Sequence, residues 1–113
     1  MPPDWLRAAR AQILDRPFEG VRTAGIAAAV GRHPVSLARA FRRHYGESIS
    51  ECVRRRRVEL ALSLLAHTRK PLTDIAAEVG CADQSHLTRL LREETGVTPH
   101  RLRLSISPTL QRM

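Results

Sequence analysis

Ile26-Ala27-Ala28-Ala29-Val30-Gly31 returns as Ile75-Ala76-Ala77-Glu78-Val79-Gly80, an offset of 49 residues. After a slip of one residue the correspondence resumes at an offset of 50, where Leu37, Arg39, Arg42 and Gly46 meet Leu87, Arg89, Arg92 and Gly96. Each copy reads as a short helix, a glycine turn and a second helix that carries arginines. Apolar residues at helical spacing mark the helices, and a glycine just past the last of them is a stop signal. Two such copies in a basic chain imply a pair of helix-turn-helix probes for two stretches of DNA major groove.

The rest of the chain is consistent with that implication. At 113 residues it makes one compact domain, or two tightly linked subdomains sharing a spacer. The net charge is +8, and Lys70 is the lone lysine among 19 basic residues. Arginine suits bidentate contact with phosphate and guanine, so nucleic acid is the expected partner. No apolar run approaches the roughly 20 residues a membrane helix needs. Met1-Pro2-Pro3-Asp4-Trp5 has no charged leader before an apolar stretch, which reads as a cytoplasmic protein. Cys52 and Cys81 lie singly in apolar-patterned segments and read as buried free thiols. The histidines (His33, His44, His67, His86, His100) are scattered, so neither a metal site nor a cofactor is expected.

The spacing predicts an all-α fold of about seven helices, with two helix-turn-helix subdomains joined by a long central helix. Residues 1–20 read as an N-terminal helix and linker, with Asp4 as its cap, Pro17 as its stop and Glu19-Gly20 leading onward. Residues 21–47 hold the first motif. Thr23 caps a short helix in which Gly25 costs about 1 kcal/mol relative to alanine. His33-Pro34 start the probe helix, which runs to Tyr45 with Gly46 as its C-cap. Residues 48–69 form the joining helix, opened by the capping box Ser48…Glu51 and carrying Val53, Leu60, Ala61, Leu64 and Leu65 as its apolar stripe. Four successive residues surround a helix, so Arg54-Arg55-Arg56-Arg57 cannot form one patch. Arg57 falls in phase with the buried face, and Glu51 and Glu59 are the i,i+4 partners expected for Arg55. Residues 70–104 hold the second motif, with a probe from Gln84 to Thr95 capped by Asp83, and a closing helix from Thr98-Pro99. Residues 105–113 read as a frayed tail.

Singly, a glycine-marked turn between helices is a weak signal; paired, it is specific. A joining helix of 19 residues is roughly 28 Å long, close to the about 34 Å that separates successive major grooves on one DNA face. From Leu6 to Arg103 the chain resembles the DNA-binding domain of the AraC/XylS family of bacterial transcription regulators. The residues that carry the resemblance begin with Leu37-x-Arg39-x-Phe41-Arg42 and Gly46, and continue with Arg57-Val58-x-x-Ala61-x-x-Leu64-Leu65. Pro71-Leu72-x-x-Ile75-Ala76-x-x-x-Gly80, Asp83-Gln84-Ser85-His86-Leu87-x-Arg89, Gly96-x-Thr98-Pro99 and Arg103 complete it. The departures are Cys81, Leu87 and Leu91 where the family favours aromatics, Cys52 near where it often has tyrosine, and His33 where it often has serine. All but the last stay apolar, which preserves a core.

The resemblance implies base contacts from Val35, Ser36, Ala38 and Arg39 in the first probe, and from Gln84, Ser85, His86 and Arg89 in the second. It implies phosphate contacts from Arg42, Arg43 and Arg92. The chemistry suits those roles. Arg39 and Arg89 can bridge guanine O6 and N7, Gln84 can pair with adenine N6 and N7, and Val35 and Ala38 suit the thymine methyl. The outward residues differ between copies, so the expected target has two different half-sites and a direction. The expected partners are double-stranded DNA and RNA polymerase, with any effector-binding or dimerisation domain outside this chain. A transposase or recombinase arm would need a catalytic carboxylate domain elsewhere. The other alternative is a basic helical module that binds RNA or protein; single-stranded RNA would need stacking aromatics, and Phe, Trp and Tyr make up 4% of the chain. No nucleophile–base pair or phosphate loop suggests an enzyme.

Overall fold

Seven helices and no strand make up the residues described by the computed structural model, which are 1–17 and 23–106. They are α1 (Asp4–Asp15), α2 (Thr23–Ala29), α3 (Pro34–Tyr45), α4 (Ile49–His67), α5 (Leu72–Glu78), α6 (Gln84–Thr95) and α7 (Pro99–Ile106). The fold is all-α, as the periodicity predicts. Glu19 and Gly20 lie outside the described residues. Two compact units divide the chain between Arg56 and Arg57, inside α4.

In the first unit α2 packs on α3, and α1 lies against both. Leu6, Ala9 and Ile13 of α1 close over Ile26, Ala27, Leu37 and Phe41, with Ile49 and Cys52 completing the core. Ala27 has no exposed surface, so its small side chain lets the helices approach closely. Leu37 and Phe41 are also fully buried, and each such side chain contributes about 1.5–3 kcal/mol of transfer free energy. Two cation–π contacts fasten α1 to the motif. The Arg32 guanidinium lies 4.7 Å from the centre of the Trp5 ring, and that of Arg10 lies 4.9 Å from the Tyr45 ring. Arg56 Nε donates to the Leu14 carbonyl at 2.9 Å, meeting one of the carbonyls left over at the end of α1.

In the second unit α5 packs on α6 and α7 on α6. Val58, Ala61 and Leu65 of α4 share a core with Ile75, Ala76, Val79, Leu87, Leu90 and Leu91. These three scaffold residues stand 52 positions after Leu6, Ala9 and Ile13 of α1. Each motif therefore rests on a scaffold helix with the same large–small–large buried spacing, a part of the repeat too divergent to read from identities. Arg103 reaches back to donate to the Thr68 carbonyl at 3.4 Å, joining α7 to the end of α4.

The turns repeat closely. Arg32 N–H donates to Ala27 O at 2.9 Å and Gly31 N–H to Ala28 O at 3.2 Å; Cys81 to Ala76 at 2.8 Å and Gly80 to Ala77 at 3.3 Å repeat the pair. This 6→1 and 5→2 arrangement is a Schellman motif, which needs a left-handed residue. Gly31 and Gly80 supply it, with φ of 69° and 82°.

Several local expectations are corrected. Pro3, not Asp4, is the N-cap of α1; Asp4 is the first helical residue and pairs with Arg7. Arg55 pairs with Glu47 at 2.8 Å, a partner the i,i+4 spacing does not offer, because Glu47 in the preceding turn brings its carboxylate alongside the helix. The Glu51 carboxylate lies 3.6 Å from Arg42, while the Glu51 backbone N–H donates to the capping Ser48 Oγ at 3.0 Å. The buried stripe of α4 is Ile49, Cys52, Val58, Ala61 and Leu65, with Val53, Leu60 and Leu64 partly buried beside it. Ile49 and Cys52 belong to the first core and Val58, Ala61 and Leu65 to the second, so a single stripe cannot describe the helix. Helix α7 continues through Ser105 to Ile106, past the expected start of the tail.

Both cysteines are buried free thiols, and burial pushes each thiol up from its ordinary value of 9.0. The hydrogen bond from Arg55 holds the Glu47 carboxyl below its usual 4.5. A carboxyl with a lowered folded-state value contributes stability in full above its unfolded value and loses it as pH falls through the folded one. Wild-type unfolding free energy should therefore fall more steeply below about pH 4.5 than that of Glu47→Gln, as read by urea melts across the acid range. A second pair of melts separates two glycines that both have open space for a Cβ, Gly25 and Gly46. Gly46 sits at φ 72°, so Gly46→Ala should cost about 1–2 kcal/mol. Gly25→Ala, within a helix, should instead stabilise by about 0.5–1 kcal/mol.

Candidate nucleic-acid interface

Helix α3 begins at His33, whose backbone is extended (φ −71°, ψ 140°), and Pro34 occupies the first helical position. It stops at Gly46, in the left-handed region. Because Leu37 and Phe41 are drawn into the core, the opposite face is fixed by helical geometry. Val35, Ser36, Ala38, Arg39, Arg42 and Arg43 are all exposed on α3. Val35, at 50% exposure, is a large apolar side chain left in water at the mouth of the helix. Small side chains thus come first and arginines follow, leaving room for a close approach ahead of the charge.

Helix α6 is capped by Asp83, whose Oδ1 accepts from His86 N–H at 2.8 Å. Leu87, Leu90 and Leu91 face the core. Gln84, Ser85, Thr88, Arg89 and Arg92 together line an open groove of about 340 Å³. Four of the five sequence-derived contacts in this probe therefore meet in one concavity. His86 does not line it: the half-buried imidazole turns back, its Nδ1 accepting from Ala82 N–H at 3.1 Å. Thr88 joins the groove, and its signal was legible, since it stands three or four positions from Ser85, Gln84 and Arg92 and so shares their face. A second groove of about 480 Å³ follows the helix, lined in part by Arg92, Thr98 and Arg101. Arg101, whose N–H donates to the Thr98 cap at 3.3 Å, stands on the closing helix, outside both motifs, where the repeat gives no signal for it.

The arrangement offers guanidinium and amide donors and small apolar contacts on two exposed helix faces, the chemistry of base edges and phosphates. Among the described residues no group of three or more His, Cys, Asp or Glu could hold a metal ion. No described helix is long and apolar enough to cross a membrane.

Fold and surface together define a double helix-turn-helix DNA-binding domain. A family model described as a helix-turn-helix domain matches residues 26–105. The transcriptional activator RhaR of Escherichia coli is 36% identical over 67 residues, which are 59% of this chain and 24% of RhaR, so the chain matches about a quarter of that relative's length. The C-terminal domain of the response regulator AraT of Geobacillus stearothermophilus superposes with a TM-score of 0.88 at 25% identity, covering 94% of this chain and 88% of that one. An AraC-type transcriptional regulator from Chromobacterium violaceum superposes with a TM-score of 0.81 at 26% identity, covering 88% and 89%. The chain belongs to the AraC-type helix-turn-helix family of DNA-binding transcription regulators.

Proposed function

We propose that the chain recognises an asymmetric promoter site, placing α3 and α6 in successive major grooves, and thereby regulates transcription in the cytoplasm as a binding module rather than a catalyst. The observation that carries this reading is the pair of capped helices that each expose a polar, arginine-bearing face opposite a fully apolar one. In the first half-site Val35, Ser36, Ala38 and Arg39 meet base edges, while Arg42 and Arg43 hold phosphates. In the second, Gln84, Ser85, His86 and Arg89 meet bases and Arg92 holds a phosphate. The outward sets differ in size and polarity, so the half-sites differ and the regulator has a direction on DNA. RhaR is an activator, which supports a contact between this chain and RNA polymerase. Effector sensing or dimerisation belongs to a segment outside it.

Selection from random double-stranded DNA, repeated at two salt concentrations, tests the reading. The expected product is one motif with two unlike half-sites about one helical turn apart. Enrichment of no motif, or equal competition by RNA, would remove it. Two variants then separate the assigned roles. Arg39→Ala should cost about 1–3 kcal/mol and relax the preference at one base pair, whereas Arg42→Ala should weaken binding to every duplex and flatten the salt slope by about one.

A further inference from the structure

The two turns differ by one residue, and a histidine meets the altered backbone in each. Gly31 is followed by Arg32 and the cap His33; Gly80 is followed by Cys81, Ala82 and the cap Asp83. The additional residue of the second turn brings one more amide, and Ala82 N–H gives it to His86 Nδ1 at 3.1 Å. In the first turn the cap itself is the imidazole, and Val35 N–H donates to His33 Nδ1 at 3.1 Å. A ring nitrogen that accepts a hydrogen bond carries no proton, so in the neutral imidazole the proton sits on Nε2. Both rings are therefore locked by main-chain amides in the same tautomer. The nitrogen each has left is a donor only.

That matters for recognition because the major-groove edges of the bases are written in donors and acceptors. Guanine N7 and O6, adenine N7 and thymine O4 accept, whereas cytosine offers the N4 amino group as a donor. A side chain free to choose its tautomer could meet either kind. One fixed as an Nε2–H cannot.

We propose that His33 and His86 are donor-only DNA contacts whose tautomer is set by the turn: His86 reads an acceptor on a base edge and rejects cytosine there, and His33 donates to a backbone phosphate. The assignment rests on the reading of α3 and α6 as the DNA-facing helices. His33 is the cap, one position outside the base-reading stretch that begins at Val35, which suits a backbone contact. His86 lies within the stretch Gln84 to Arg89; its Nδ1 is turned to the Ala82 amide, outside the groove its neighbours line, which leaves Nε2–H for a base edge.

Heteronuclear NMR of the ring nitrogens in the free protein at about pH 8 should show the Nε2–H form for both residues. Two variants then keep the turn and change the contact. His86→Gln places a capping-box residue at the third helical position but offers an acceptor as well as a donor. Its discrimination against cytosine at one position should fall by about five- to tenfold with the rest of the motif unchanged. His33→Asn keeps a strong cap on a shorter side chain. Its affinity should fall by about three- to tenfold on every duplex, and its salt slope should match wild type because a neutral donor releases no counterion. Thermal melts of both variants should stay near wild type. An Nδ1–H ring, full cytosine rejection in His86→Gln, or wild-type affinity in His33→Asn overturns the proposal. Failure of the wild type to select any motif would instead remove the DNA-binding reading on which it depends.

Discussion

Everything on the outer faces depends on how tightly the two helices of each motif turn back on one another. The chain must leave α2 and α5, reverse within two or three residues, and start α3 and α6 with their apolar faces already aimed at the core. Left-handed Gly31 and Gly80 make that reversal, and the paired 6→1 and 5→2 bonds satisfy carbonyls that the helix end would otherwise leave open. A side chain at these two positions would strain the turn by about 1–2 kcal/mol, and any relaxation of the turn would rotate the probe helix that follows. The fully buried Ala27 and the nearly buried Ala76 supply the other half of the constraint, because a larger residue there would push the helices apart.

Once the turn is set, burial determines recognition. Leu37 and Phe41 in one motif, and Leu87, Leu90 and Leu91 in the other, fix the rotation of the probe about its own axis. The polar residues then have no freedom about where to face. This explains why scaffold positions repeat while most outward ones, Arg39/Arg89 and Arg42/Arg92 apart, do not. The core tolerates only residues of the right size, whereas the outer face is constrained by whatever it must meet. Burial runs identically over residues 41–50 and 91–100, although three of the five residues exposed there differ.

Much of this was legible beforehand. Pro34, Gly46, Asp83 and Gly96 are strong local signals acting through the backbone, so α3 and α6 lie within the bounds that the sequence predicts. Helix α4 was harder, since its residues divide between two cores and no single periodicity describes them. The same difficulty conceals Glu47 as a partner of Arg55. An i,i+4 rule considers only the helix itself, and a turn residue eight positions back is invisible to it.

The sequence by itself determined the two motifs, their caps and the identity of the residues on each outward face, because these follow from short-range spacing and backbone preference. Only the tertiary structure decided what those faces do with their side chains. It gathered Gln84, Ser85, Thr88, Arg89 and Arg92 around one groove, and it showed α1 and the second part of α4 to be equivalent scaffolds. It also turned His33 and His86 toward main-chain amides. The physical reason is that a hydrogen bond to a backbone group depends on where the turn places that group in space, and spacing along the chain does not encode it.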